Sequence, residues 1–260
     1  MNLFSLQYCI MTPEIVLPSG NQPKESSEIN LGMYAPLLGG MFETAGTMLI
    51  NVNRIRKQLP SGERIYTYAS PILRYKDNRA AKVRRFKDIF GGSFRPDGRY
   101  NSYQWTVLGD DAVELAIAME PFAPSRSEVI NAFRNWQNEG DHDERLSIAG
   151  EVKGEAKQIQ PKEVYAALLE NDAFLAGIFE ARGFLTTGRD GKRILAINTT
   201  NANLRKAIQE EFGGALTTKK SKSVSLQIYS EQEIGRIISV ISPRLITPLE
   251  EYTSRATAIK

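Results

Sequence analysis

Two nine-residue strings constrain this chain more than any other feature. "LGGMFETAG" occupies residues 38–46 and "LAGIFEARG" residues 175–183, 137 positions later. Each is small and apolar, carries Glu at its sixth place and ends on Gly. Such a string suits a helix that packs closely on another helix, because Gly and Ala let the two backbones approach. Gly39, Gly40, Ala176 and Gly177 are the expected contact positions of one pseudo-twofold interface.

The segments downstream of the two strings repeat as well. After residue 46, Met48, Ile50 and Val52 alternate with Thr47, Asn51 and Asn53, the period of a half-buried strand. "LPSGE" is a turn and "RIYTYASPILRY" the return strand, in which Pro71 predicts a bulge or a strand end. "DNRAAKVRRFKDIFGG" is a helix with Asp77 or Asn78 as its cap. A hairpin, a helix stopped by Pro121 and a further helix opening at Ser125 or Ser127 complete the first half. The second half runs helix, hairpin, helix, hairpin, helix in shorter form. Phe90-Gly91-Gly92 is answered by Phe212-Gly213-Gly214, and Met119-Glu120-Pro121 by Ile241-Ser242-Pro243. The expected fold class is therefore α+β: two pseudo-symmetric αββαββα repeats, at 31–136 and 161–246. An extended arm (1–30), an acidic linker (137–160) and a tail (247–260) make up the rest.

Charge is distributed unevenly over these parts. Residues 51–104 hold 13 Lys or Arg against 4 Asp or Glu, and residues 184–229 hold 8 against 3. Residues 137–172 hold 4 against 9. Two basic blocks about an acidic connector predict a polyanion partner. One Cys and one His exclude a disulfide framework, a Cys/His zinc site and a two-His metal site. No apolar run is long enough for a membrane helix, so no membrane partner is expected. The N-terminus has no basic region ahead of an apolar one, so a signal peptide is not expected. An intracellular setting is expected, cytoplasm or an organelle matrix (mitochondrion or chloroplast).

With its duplication and its αββαββα halves, the chain resembles the LAGLIDADG homing endonucleases of the single-chain, two-repeat kind over about residues 32–245. The resemblance implies a saddle of two antiparallel four-stranded sheets over a nucleic-acid duplex, in a monomer that is an internal pseudo-dimer. In that family the motif's eighth residue is a carboxylate, and the two carboxylates hold divalent metal for hydrolysis of both strands. Here the eighth positions are Ala45 and Arg182. The acids Glu43 and Glu180 stand two residues earlier, about 200° around the helix, and read as local structure at the helix end. Arg126 resembles the family's basic residues near the central waters; the second copy has Pro248 at the comparable place.

The binding apparatus reads as retained. Thr47, Leu49, Asn51, Asn53 and Lys57 share one strand face. Arg54 and Arg56 add positive charge on the same strand, and Arg64, Tyr66, Tyr68, Arg74 and Lys76 extend the set on the return strand. Arg95, Arg99 and Tyr103 continue it on the next hairpin. In the second copy Arg189, Lys192, Arg193, Lys219, Lys220 and Lys222 fall near hairpin tips, where phosphate contacts are expected, and Arg182 is expected to clamp a phosphate at the centre. The expectation is a catalytically silent nucleic-acid binder without metal or other cofactor. RNA is preferred over DNA because tyrosines interleaved with arginines suit splayed bases. An intron-splicing helper or a ribonucleoprotein or ribosome-associated subunit, working with other subunits, fits that reading. The alternatives are a site-specific DNA endonuclease using Glu43, Glu180 and Mg²⁺, and a DNA-binding regulator.

Overall fold

The computed structural model describes residues 31–60, 62–98, 101–152, 157–188, 190–218 and 224–253. The arm expected at 1–30 lies outside them. The first repeat runs α1 (Leu31–Thr44), β1 (Thr47–Leu59), β2 (Gly62–Asp77), α2 (Ala80–Phe90), β3 (Ser93–Asp97), β4 (Ser102–Leu108), α3 (Gly109–Met119) and α4 (Ser127–Asn138). Then come α5 (His142–Glu151) and α6 (Lys162–Leu169). The second repeat runs α7 (Asp172–Arg182), β5 (Gly183–Thr187), β6 (Arg193–Asn198), α8 (Ala202–Phe212), β7 (Ala215–Thr218), β8 (Val224–Ile228) and α9 (Glu231–Ile241), followed by α10 (Glu250–Thr253). The sheets are antiparallel, with matching strand orders β1-β2-β4-β3 and β5-β6-β8-β7. The two αββαββα halves predicted from the repeat are present.

Each sheet covers its own core. Met48, Ile50, Leu73, Tyr75, Trp105 and Val107 face the first, with Val83 and Phe86 of α2 and Val129 and Phe133 of α4. Leu185, Leu195, Ile197, Leu226 and Ile228 face the second, with Leu204 and Ile208 of α8 and Ile234 and Ile237 of α9. The paired Phe-Gly-Gly strings have one cause. Gly91 and Gly213, at the ends of α2 and α8, have φ of 71° and 69°, a region that side-chain-bearing residues rarely adopt.

The motif helices α1 and α7 pack on each other through glycine. A Cβ on Gly177 would press into the Leu37 backbone, 2.8 Å from its carbonyl carbon, and one on Gly40 would meet the Phe174 backbone. Ala176 is fully buried beside them. Gly39 departs from the expectation: it faces Phe122, in the turn after α3, and not the partner helix.

Three other expectations are corrected. The β1–β2 ladder runs without a bulge from Thr47↔Arg74 to Leu59↔Gly62 and passes through Ile50↔Pro71. β4 pairs with β2 only from Ile72 onward, so Pro71 lies just past the end of that ladder, where a missing N–H breaks nothing. The acidic 137–160 stretch is not a plain linker, since α5 packs Ala149, with Leu146 and Ile148 beside it, into the first core. The tail from 247 to 253 belongs to the fold, with Tyr252 buried against Phe179 at a ring distance of 4.9 Å.

Candidate nucleic-acid interface

Cross-strand partners share a face, so the register sorts the predicted contact residues. Asn51↔Ser70, Asn53↔Tyr68, Ile55↔Tyr66 and Lys57↔Arg64 place Asn51, Asn53, Lys57, Arg64, Tyr66 and Tyr68 together on the side away from the helices. Arg74↔Thr106, Lys76↔Gln104 and Arg95↔Gln104 extend that face across β4 to β3. Tyr66 and Tyr68 are 43% and 39% exposed there, and Lys57 lies 5.5 Å over the Tyr66 ring. Arg74, Lys76, Arg95, Asp97 and Gln104 line a depression of about 490 Å³. Lys76 is held by Asp97 at 2.7 Å. With its amide turned, Gln104 accepts from Arg95 Nε at 3.1 Å and Nη2 at 3.0 Å, which fixes that guanidinium. Arg182 is exposed and lines a second depression, of about 260 Å³, with Lys76, Asp77, Asn78, Ser102, Ala181 and Asn198. Lys76 borders both, so cations run from Arg95 to the end of α7.

Other predicted contacts lie elsewhere. Arg54↔Thr67 and Arg56↔Ile65 put Arg54 and Arg56 on the opposite face of the hairpin, the side that carries Met48 and Ile50 at its root, because successive residues of a strand alternate. Tyr103 is on that side too, opposite Pro96 and Asp77, and stacks on Phe94 at 5.6 Å. Arg193 is bound to Glu231 at the start of α9, with Nη2 donating at 2.6 Å and Nε at 2.9 Å. Lys192 is exposed near the β5–β6 tip, 3.8 Å from Asp190. Arg99, Arg189, Lys219, Lys220 and Lys222 lie outside the described residues.

Arg126 is the largest correction. It is fully buried, and its guanidinium donates to the carbonyls of Phe42 (3.1 Å) and Gly46 (2.6 Å) at the end of α1. It satisfies carbonyls that a helix leaves unpaired at its C-terminus, and so cannot reach a duplex.

The sixth-place acids are equally internal, and each holds neighbouring segments of the fold. Glu43 is fully buried: Oε1 accepts from the Ser125 N–H at 2.8 Å and Oε2 from the Tyr165 hydroxyl at 3.0 Å. Burial raises its pKa, against the hydrogen bonds from Ser125 and Tyr165 and the charge of Arg126. Glu180 is fully buried as well. It accepts from the backbone N–H of Ile246 (3.1 Å) and Thr247 (3.3 Å) and from the Thr247 hydroxyl (2.6 Å). Thus Glu43 anchors the segment that leaves α3, and Glu180 the segment that leaves α9. Each is also tied to the other repeat. Tyr165 belongs to α6, whereas Lys82 on α2 lies 3.5 Å from Glu180 and also donates to its backbone carbonyl. Lys82 is itself buried, 3.3 Å from Asp77. Burial lowers its pKa against the attraction of Glu180 and Asp77. Burial also works to raise Asp77, but the Arg79 hydrogen bonds and the Lys82 charge outweigh it and hold Asp77 well below the usual carboxylate range. Nothing in the sequence points to Tyr165 and α6, nor to Asn201, which donates to the Tyr165 hydroxyl at 2.7 Å.

These residues do not fit a divalent cation at the ends of α1 and α7. Ala45 offers no ligand atom and Arg182 offers positive charge. Glu43 and Glu180 have committed their oxygens to internal donors, so they do not supply the shifted acids of the endonuclease alternative in this arrangement. Asp77, which lines the same depression as Arg182, is ion-paired with Arg79 and Lys82.

No helix among the described residues is long and apolar enough to cross a membrane. No protein-family model matches the sequence, and no curated protein matches it. Solved structures do. The LAGLIDADG meganuclease I-AabMI, bound to uncleaved DNA, aligns at 15% identity and a TM-score of 0.56, over 83% of this chain and 86% of that one. The LAGLIDADG homing endonuclease I-LtrWI, bound to target DNA, aligns at 16% identity and 0.51, over 86% and 88%. I-GzeII, in complex with its DNA target, aligns at 12% identity and 0.51, over 83% and 85%. At such identities the likeness carries the architecture and not the chemistry: this chain has the two-repeat fold of the LAGLIDADG homing endonucleases.

Proposed function

We propose that this chain binds nucleic acid and does not cut it. The observation that carries the reading is the pair Ala45 and Arg182 at the ends of α1 and α7, where the resemblance to the LAGLIDADG homing endonucleases implies carboxylates. A phosphodiester cleaved with metal assistance needs ligands that hold the cation against the scissile phosphate. A methyl group and a guanidinium supply none. The guanidinium supplies instead a fixed positive charge that pairs well with a phosphate oxygen. Arg182 thereby becomes a backbone clamp at the centre of the saddle, continuous with Lys76, Arg74 and Arg95.

RNA is the preferred ligand in this reading. The support is Tyr66 and Tyr68, exposed on the basic face, which suit stacking on unpaired bases. A role as intron-splicing helper or ribonucleoprotein subunit is consistent with that surface. Duplex DNA is the second reading, and the DNA-bound solved structures of the same fold favour it. The test is to purify the chain from its native source and sequence what copurifies. A defined RNA supports the first reading. A defined duplex DNA supports the second, and no enriched nucleic acid speaks against both.

A further inference from the structure

We propose that the grip on nucleic acid is one-sided: the first sheet makes the phosphate contacts, and the outward face of the second sheet makes none. This rests on the nucleic-acid-binding reading above and departs from the equal halves that the duplicated fold suggests.

The register fixes the composition of both faces among the described residues. The first carries Lys57, Arg64, Arg74, Lys76 and Arg95 among its outward residues. On the second, Phe184↔Ala196 and Thr186↔Ile194 cross β5 and β6. Ala196↔Gln227 and Asn198↔Ser225 continue to β8, and Ala215↔Gln227 and Thr217↔Ser225 to β7. None of these residues is ionisable, and Ala196 and Ser225 are fully buried. Three arginines of the second repeat are engaged in other places. Arg193 is held by Glu231, Arg236 by Glu233 and Glu211, and Arg205 by the Thr199 carbonyl. Reach differs too. β1 has 13 residues and β5 has 5. At strand rise these span about 44 Å and about 17 Å.

Affinity for a phosphate backbone comes from cations that displace its counterions, and an uncharged face displaces few. A long duplex laid evenly across both sheets would therefore gain little from the described residues of the second sheet's outward face. The partner this surface fits is a nucleic acid whose backbone ends or turns near Arg182, such as a stem closed by a loop. The second repeat then serves to complete the α1–α7 contact and to hold Arg182 at the boundary.

The test uses the full chain with two labelled probes of random sequence, an RNA stem-loop and a long DNA duplex. One variant removes charge from the first face (Arg74→Gln, Lys76→Gln and Arg95→Gln together). Another adds negative charge to the second face (Thr186→Glu with Gln227→Glu). The first should weaken binding of whichever probe binds by about tenfold or more, and the second should change it by less than about threefold. Hydroxyl-radical footprinting should show one protected tract. If the added glutamates weaken binding as much as the lost cations, or two tracts of equal length are protected, the one-sided grip is overturned while nucleic-acid binding stands. If neither probe binds the unmodified chain, both fall. Should the glutamate pair lower thermal stability, Thr217→Glu on the same face replaces it, with the same expected outcome.

Discussion

Two helical glycines should respond oppositely to the same substitution. Gly177 lies in α7, where an added Cβ would stand 2.8 Å from the Leu37 carbonyl carbon and 3.0 Å from its Cα. Carbon atoms in contact prefer about 3.5–4.0 Å, so α1 and α7 would have to part by about 0.7 Å or more along a line of backbone atoms that no rotamer change can relieve. Gly235 lies in α9, and a Cβ there meets nothing within 4 Å. Alanine in a helix is favoured over glycine by about 1 kcal/mol, which applies at both sites. Overpacking costs about 1–3 kcal/mol or more and applies only at Gly177, where backbone rather than side chain is struck and the upper end of the range is expected. Gly235→Ala should therefore raise stability by about 0.5–1 kcal/mol, and Gly177→Ala should lower it by about 1–2 kcal/mol net. In thermal unfolding that is a rise of about 2–3 °C against a fall of about 3–6 °C for a chain of this size. Equal shifts in the two variants, or a rise for Gly177→Ala, would show that the motif helices are not in backbone contact.

Arg126→Leu should cost about 2–4 kcal/mol in urea unfolding, because it strips donors from the Phe42 and Gly46 carbonyls, and it should leave the salt dependence of nucleic-acid binding unchanged. Replacing Arg74, Lys76 and Arg95 by Gln should reduce the slope of log K against log salt by about 2–3, whereas replacing Arg54 and Arg56 should reduce it far less; a larger effect from the second pair would place the ligand on the wrong face of β1. Asp77 has a folded pKa below its unfolded one, so its contribution is present above about pH 4 and is lost as pH falls further. Asp77→Asn should therefore destabilise the chain at pH 7 by about 3–5 kcal/mol, since Lys82 and Arg79 lose a buried partner, and the gap from the unmodified chain should narrow in thermal scans toward acid pH. Glu43 has the opposite sign. Its raised pKa makes the ionised form unfavourable in the folded state, so Glu43→Gln should gain stability relative to the unmodified chain as pH rises above about 4.

The repeat was legible because duplication is a pattern in the chain itself. Gly40 and Gly177 could be placed in the interface because only small residues permit that approach. The face of β1 was legible for Asn51, Asn53 and Lys57 from period two. The same alternation, applied to Arg54 and Arg56, excludes them, and reading the whole basic block as one surface obscured that. Arg126, Glu43 and Glu180 show the limit. Whether a charged side chain faces a ligand or caps a neighbouring segment depends on what the fold brings to it, and Ser125, Tyr165, Ile246 and Thr247 lie 66 to 122 residues away from the acids they bind. The asymmetry of the two outward faces was hidden for a similar reason: counting charge along the second block includes Arg193 and Arg205 without showing that partners already hold them.

The most direct measurement is cleavage of a randomised duplex DNA library by the purified chain with Mg²⁺ or Mn²⁺, read by sequencing of the ends. Ala45 and Arg182 in place of metal-holding acids predict no enriched break above a protein-free control. Double-strand breaks at a defined sequence, dependent on added metal, would contradict the account and assign the chain to the nucleases whose fold it has.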